Sequence, residues 1–411
     1  MKKYGCIGKK LGHSFSKEIH AKLFDYSYDL IELFPEAVAP FLKERAFAAV
    51  NVTIPYKQTV IPFLDEIDPI ARKIGAVNTI VNRHGKLYGY NTDFAGMRAL
   101  MIKVGISPVG KKVLIAGSGG TSRTAAAVAE DLGAREIYRL SRTPGADTIS
   151  YENAFSEHAD AEIFMNTTPV GMYPKTAGMA VSLDRLPALC GVIDAVYNPL
   201  RSALVTAARE HGIRASGGLY MLVAQAAYAA QHFVGESVPA EKIDEIYREI
   251  LHSKENIVLV GMPGSGKSTV GRALADQMGR PFEDSDARIV EKYGDISRLF
   301  SQYGEAHFRQ LEQSEIAALS DQNGLVIATG GGVVTNAENI SALRRNGKIY
   351  FLDRPLEAIL PTDDRPLAKD RAALEARFKE REALYRAAGT RIDCRGSVAD
   401  IAREIREDFT K

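Results

Sequence analysis

Short apolar runs recur along this chain, separated by polar loops and by stretches of helical spacing. Tyr4-Gly5-Cys6-Ile7-Gly8 reads as a strand entering a turn. Asn51-Val52-Thr53-Ile54 is β-branched, and Pro55 ends it because proline brings no N–H to a ladder. Ala76 to Val81, Lys112 to Ala116, Glu136 to Leu140, Ile163 to Met165, Val192-Ile193, Ile257 to Val260, Leu325 to Thr329 and Lys348 to Leu352 are further strand-like runs. Elsewhere the period lengthens. Ile243, Ile246, Tyr247, Ile250 and Leu251 mark one face of a helix with Pro239 near its start. Strands alternating with helices predict an α/β protein.

The polar punctuation carries more information than the runs. Gly261-Met262-Pro263-Gly264-Ser265-Gly266-Lys267-Ser268-Thr269 fits G-x-x-x-x-G-K-[ST] in full. A strand-like run precedes it and Val270 to Ala275 can open a helix. The glycines let successive N–H groups turn toward one anion, Lys267 supplies a point charge, and Ser268 offers a hydroxyl to Mg²⁺. The alternative is an ordinary Gly-rich turn. Such loops lie near the start of their own domain, so the residues before it form something else. The polar, aperiodic stretch His252 to Asn256 is the expected join, with units at 1–252 and 256–411.

A second loop, Gly117-Ser118-Gly119-Gly120-Thr121-Ser122, sits between a strand and the helical stretch Thr124 to Leu132. This is a dinucleotide-type β–loop–α–β unit, with Ser122 where the full fingerprint has glycine. After the second strand an NAD site carries an acidic residue for the ribose 2′-hydroxyl. Here the chain reads Ser141-Arg142-Thr143, which suits a 2′-phosphate and therefore NADP. The alternative is an exposed arginine in a turn.

Composition narrows the class. The chain has 411 residues, 45% hydrophobic and 25% charged, enough for about two to three globular domains. A formal net charge of +1 argues against nucleic acid or a membrane surface as partner. Cys6, Cys190 and Cys394 are far apart, so neither a disulfide framework nor a zinc site is expected and a cytoplasmic location is. The apolar stretch at the N-terminus is too short for a signal peptide, and Gln225 interrupts the longest apolar run, Leu219 to Ala230.

Several polar residues stand where chemistry is possible. Ser14 and Ser16 either cap a helix or point two hydroxyls at one carboxylate. Lys57 lies just past a strand end, where a lysine is by default solvated surface. Asn78 and Asp93 stand in or beside apolar runs and need partners, although Asp93 also suits a turn cap. Gln225 is either a core amide or a ligand contact. Asp284 and Asp286 close a probable strand, where spacing two puts both carboxylates on one face. Arg309 is a ligand contact or a salt-bridge partner. Gly330-Gly331-Gly332 permits close backbone approach to a small ligand. Asp363 to Leu367 reads as a loop and Arg381 to Tyr385 as helix.

Residues 1 to about 250 resemble shikimate dehydrogenase along their length. The resemblance runs through the serines at 14 and 16, Asn51 to Lys57, Ala76 to Thr79, Asn91 to Asp93, Gly117 to Gly120, Asn166 to Met172, Asp194 to Pro199 and Gly218 to Gln225. Residues 256 to 411 resemble shikimate kinase in the phosphate loop, Asp284-Ser285-Asp286, Phe308-Arg309, Gly330 to Gly332, Arg365-Pro366-Leu367 and Arg381-x-x-Leu384-Tyr385. The pair implies a fusion in which the first half makes the second half's substrate. The implied fold is an α/β substrate-binding domain (1–98), a Rossmann-type NADP domain with C-terminal helices returning to the substrate domain (99–252) and a P-loop α/β kinase domain (256–411).

The resemblance also implies roles. NADPH would reduce 3-dehydroshikimate, with Lys57 and Asp93 as the acid–base pair. Ser14 and Ser16 would hold the substrate carboxylate, and Thr53, Asn78, Tyr197 and Gln225 its ring. Gly117, Gly119, Gly120, Arg142, Thr143 and Met172 would bind the cofactor. ATP would then phosphorylate shikimate. Gly264, Ser265, Gly266, Lys267, Ser268 and Thr269 would hold its phosphates, Lys267 also being catalytic, with Ser268 and Asp284 at Mg²⁺. Asp286 would take the hydroxyl proton, Arg309, Arg381, Gly331 and Gly332 would bind the shikimate carboxylate, and Arg365 would arrive on a lid. The stretch Leu356 to Asp364 before Arg365 is short for that lid. One inactive, purely binding half and quinate as first substrate are the alternatives. A homo-oligomer is left open.

Overall fold

In the computed structural model, which describes residues 3–12, 14–359 and 371–411, the apolar runs form strands, most of them largely buried. β1 (Tyr4–Gly8) and its neighbours β2 (Tyr28–Glu32) and β3 (Ala49–Val52) pair in parallel, with Cys6 opposite Leu30 on one side and Asn51 on the other. β5 (Thr79–Arg83) runs antiparallel to β3 and to β6 (Lys86–Tyr90), and the two-residue β4 (Glu66–Ile67) closes the edge. The order is β2-β1-β3-β5-β6-β4.

The second sheet is wholly parallel. It contains β7 (Lys112–Ala116), β8 (Glu136–Leu140), β9 (Ile163–Asn166), β10 (Gly191–Asp194) and β11 (Arg214–Ser216). The order β11-β10-β9-β7-β8 puts β7 where the chain turns to opposite sides, the usual ligand position of an open α/β sheet. The apolar helix Leu219–Val234 then packs back on the first sheet's elements. A Cβ at Gly96 in helix Thr92–Lys103 would sit 2.7 Å from the Met221 carbonyl oxygen, and Phe233 stacks on Tyr4 at 5.6 Å.

The chain divides into compact units after Ile250. In the second unit β12 (Asn256–Val260), β13 (Phe282–Asp284), β14 (Val326–Ala328), β15 (Gly347–Asp353) and β16 (Thr390–Asp393) form one parallel sheet in the order β13-β14-β12-β15-β16. The polar stretch expected as a join is not a free linker. Helix Ala240–Lys254 runs through its first residues and β12 begins at Asn256. Its backbone is tied down. The carbonyl of Lys254 accepts from Gly324 N at 3.0 Å and that of Glu255 from Arg280 Nη1 at 2.7 Å. Among the described residues no helix is long and apolar enough to cross a membrane.

Candidate active sites

The first site forms where β3 ends. Lys57 does not go to the surface. Its Nζ lies 2.5 Å from Asp93 Oδ2, with the two side chains 16% and 8% exposed. Backbone fixes both partners: Val77 N donates to the Lys57 carbonyl at 2.8 Å, and Asp93 sits in the first turn of helix Thr92–Lys103. The cap of that helix is Asn91, whose Oδ1 accepts from Phe94 N at 3.1 Å, so the cap reading of Asp93 fails.

Asn78 is buried and hydrogen-bonded. Its Oδ1 accepts from Thr92 N at 2.7 Å, and its Nδ2 donates to Thr92 Oγ1 at 3.1 Å and Gln225 Oε1 at 3.3 Å. Gln225 also donates to the Leu222 carbonyl at 2.9 Å. Neither serine caps the first helix, Ser16–Leu23, which has Phe15 at its N-cap. Ser14 Oγ instead donates to Ser16 Oγ at 3.0 Å and accepts from Ser16 N at 3.2 Å. Tyr197 lies near Ser14, and desolvation pushes its hydroxyl up to about 12, so it is neutral. Thr53 is partly exposed, its backbone N bonded to the Ile7 carbonyl at 3.0 Å. The loop holding Tyr197 is anchored by buried Asp194, which accepts from Asn166 Nδ2 at 2.9 Å, Val196 N at 3.0 Å and Ser202 Oγ at 2.6 Å. Burial pushes the Asp194 carboxyl up to about 6 against those bonds.

The Gly-rich loop comes to this site. A Cβ at Gly120 would sit 3.3 Å from Ala76 Cβ and 3.8 Å from Lys57 Cβ. Gly117 has φ 123°, and Gly119 caps helix Gly120–Asp131 with no atom near its missing Cβ. The serine at the sixth position turns inward, Ser122 Oγ donating to the Gly117 carbonyl at 2.6 Å. Past β8, Ser141 Oγ closes a turn by donating to the Thr143 carbonyl at 2.8 Å and accepting from Thr143 N at 3.1 Å. Arg142 and Thr143 stay exposed there, as does Met172 beyond β9.

The second site surrounds the loop between β12 and helix Lys267–Met278. Gly261, Gly264 and Gly266 have φ of 151°, 81° and 93°, conformations that only glycine takes freely. Lys267 is buried, and its Nζ donates to the carbonyls of Gly261 at 3.0 Å and Met262 at 2.9 Å. Ser265 is buried and Gly264, Ser268 and Thr269 are more open. Ser268 Oγ donates to Asp284 Oδ2 at 2.6 Å.

The two aspartates are not on one extended face. β13 stops at Asp284, which caps helix Ser285–Tyr293 by accepting from Asp286 N at 3.0 Å and Ala287 N at 3.3 Å. Aspartate is among the best N-caps, so the chain turns helical there and Asp286 falls in the first turn. Asp286 Oδ1 is buried without a partner among the described residues. Burial, then the Asp284 charge, pushes the Asp286 carboxyl up to about 6.

Gly330, Gly331 and Gly332 admit protein side chains. Added Cβ atoms would meet Asp286 Oδ1 at 2.6 Å from Gly330, Pro263 Cδ at 2.6 Å from Gly331, and the Arg309 guanidinium from Gly332. Arg309 donates to Glu312 Oε2 at 2.9 Å and to Glu305 Oε1 at 2.9 Å. Arg381 donates to the Gly331 carbonyl at 3.2 Å, and Tyr385 OH to the same oxygen at 2.5 Å. Glu312 was not singled out from the sequence. It is 1% exposed, its Oε1 has no partner among the described residues, and burial raises its pKa. The signal for it was the helical i, i+3 spacing from Arg309. Arg365 and the stretch from 360 to 370 lie outside the described residues.

Comparison with known proteins follows the same division. Residues 6–80 match the family model described as shikimate dehydrogenase substrate binding domain, and residues 263–410 match that described as shikimate kinase. A Clostridium perfringens protein named shikimate dehydrogenase (NADP(+)) is 36% identical over 274 residues, covering 61% of this chain and 98% of its own. The Halothermothrix orenii protein of that name is 39% identical over 269 residues, covering 56% and 90%. Among solved structures, a chorismate mutase/shikimate 5-dehydrogenase fusion from Clostridium acetobutylicum superposes with TM-score 0.57 at 35% identity, over 61% of this chain and 97% of that one. Thermus thermophilus shikimate 5-dehydrogenase in complex with NADP(H) and shikimate gives 0.55 at 30% identity, over 61% and 99%.

Proposed function

The chain belongs to the shikimate dehydrogenase family through its first unit and carries a shikimate kinase domain after it, and from that premise we propose one enzyme catalysing two consecutive reactions. The first is NADPH-dependent reduction of 3-dehydroshikimate to shikimate. The second is ATP-dependent phosphorylation of shikimate at its 3-hydroxyl. The observation that carries this reading is that each unit closes its own acid–base residue against its own nucleotide loop: Lys57 beside Gly120, and Asp286 beside the loop ending at Lys267. We assign 1–98 to substrate binding, 99–252 to NADP and 256–411 to the kinase.

In the first unit the substrate carboxylate lies at the Ser14 and Ser16 hydroxyls with Tyr197 OH beside them. Asn78 and Gln225 present amides to the ring hydroxyls, and Thr53 borders the ring. NADPH supplies the hydride to the ketone carbon. Lys57 donates the proton to the carbonyl oxygen as negative charge develops there, and Asp93 holds the ammonium in line. The open N-terminus of helix Gly120–Asp131, with Gly117 and Gly119, suits a pyrophosphate. Met172 would contact the bound cofactor. Arg142 and Thr143 take the 2′-phosphate. Arg142→Ala is therefore expected to raise KM for NADPH about tenfold, the scale of a lost charge-assisted contact, and to leave NADH use unchanged. An equal rise for both cofactors in steady-state assays would remove Arg142 from cofactor choice.

In the second unit Asp286 orients the shikimate hydroxyl and accepts its proton while Lys267 neutralises charge on the transferring phosphate. Arg309 and Arg381 bind the shikimate carboxylate with Gly331 and Gly332 at its edge. Arg365 is assigned to the transferring phosphate. The adjacent Ser268 hydroxyl and Asp284 carboxylate fit Mg²⁺, which stabilises the phosphate charge when bound. The ion would take most of its ligands from phosphate and water. The test is one assay with two readouts on purified protein: NADPH loss on adding 3-dehydroshikimate, then ADP release on adding ATP. Absence of either signal overturns the bifunctional reading.

A further inference from the structure

We propose that Arg354 contacts the phosphate chain of the nucleotide in the kinase unit, as a second cation beside the loop that ends at Lys267. This rests on the kinase reading above. Arg354 directly follows Asp353, the last residue of β15, and β15 pairs with β12 at Val260 opposite Phe351. β12 feeds the phosphate loop, so Arg354 stands at the carboxyl end of the neighbouring strand, where ligands of open α/β sheets collect. The loop touches β15 at its start and comes close to Arg354 at its end. A Cβ at Gly261 would lie 2.8 Å from the Leu352 carbonyl oxygen, and a Cβ at Gly266 would lie 3.5 Å from Arg354 Nη1. The guanidinium is thus set against the residue that precedes Lys267.

Among the described residues this cation has no counter-charge. The adjacent carboxylate, Asp353, is occupied by Arg391 Nε at 2.6 Å and Arg386 Nη2 at 3.6 Å. The nearby Cys394 thiol is pushed up to about 12 by burial and carries no negative charge at neutral pH. Among the described residues Arg354 forms no ion pair, and its Nε is buried without a hydrogen-bond partner. A guanidinium cannot neutralise itself by losing a proton, so its half-buried charge stays costly until an anion arrives. The element set against it is the glycine loop, whose N–H groups suit phosphate. The other arginines of the site differ. Arg309 is held by two glutamates, and Arg381, whose Nε also has no partner among the described residues, is held by the Gly331 carbonyl.

Calorimetric titration of the full chain, with saturating NADP⁺ to fill the first unit's nucleotide site, tests this. Arg354→Ala is expected to raise Kd for ADP about tenfold and Kd for inorganic triphosphate equally, as loss of a charged contact implies. Arg354→Lys keeps the charge but loses the planar fork, and its Kd is expected to lie between. KM for shikimate should not move in either variant. Unchanged ADP affinity overturns the proposal. Weaker ADP binding with unchanged triphosphate binding puts the guanidinium on the base or ribose and overturns the phosphate contact. Wild-type protein that binds no ADP would remove the kinase reading itself, and this contact with it.

Discussion

Asp286→Asn is expected to bind ADP normally and to lose kinase turnover by a factor on the order of 10² or more, the range of a lost general base. The amide is nearly isosteric and keeps the first turn of its helix, so the phosphate loop should be undisturbed. What it loses is the carboxylate whose Oδ1 has no partner among the described residues. An orphaned buried carboxylate oxygen is costly unless a substrate hydroxyl completes it. The pH dependence follows from the same burial. The carboxyl is pushed up to about 6, and only its ionised form accepts a proton, so kcat/KM for shikimate should fall as pH drops through about 6. The stability effect has the opposite sign. A carboxyl raised above its ordinary value favours folding when protonated, and that contribution is lost as pH rises through about 6. The asparagine variant should therefore melt higher than wild type at pH 8 while remaining inactive. Wild-type turnover in Asp286→Asn, or a profile flat through pH 6, would contradict the role.

What the sequence revealed depended on distance along the chain. Both nucleotide loops were legible because their requirements are local: glycines at positive φ, then a lysine or a helix start within a few residues. The alternation of apolar runs likewise predicted α/β units, since a strand buried on both faces has no other composition available. Pairs made across elements were not legible from spacing. Lys57 and Asp93 lie on different elements, and only the family resemblance joined them before the structure did. Asp284 and Asp286 were misread for a local reason. Spacing two suggests one face of a strand, but an aspartate beside free N–H groups is also a helix cap, and the capping bonds prevail. The three glycines were read as room for a ligand. In the structure they are also room for Asp286, Pro263 and Arg309, which a Cβ at each would strike. The i, i+3 spacing could have paired Glu312 with Arg309, but that Glu312 Oε1 and Arg354 Nε have no partner among the described residues is recorded by no one-dimensional pattern.

Lys57→Ala should reduce the rate of NADPH-dependent reduction by a factor on the order of 10² or more, with kinase turnover in the same molecule as the internal control. Two roles disappear together, the proton and the positive charge beside the developing alkoxide. Truncation also leaves a gap, because the lysine stem lies within 4 Å of the space at Gly120 on the cofactor loop. Lys57→Met separates these effects. It fills the gap without the charge, so it should restore the KM for NADPH and leave turnover as low as in the alanine variant. Asp93 acts through Lys57, which predicts strong non-additivity. Asp93→Asn alone should slow reduction, since it removes the 2.5 Å ion pair that holds the ammonium. Added to Lys57→Met it should cost almost nothing more, because groups that serve one step as a unit do not contribute twice. Additive losses would mean that Asp93 touches the substrate independently. Near-normal reduction by Lys57→Met would mean that some other donor supplies the proton, and the acid–base assignment of the first unit would fall with it.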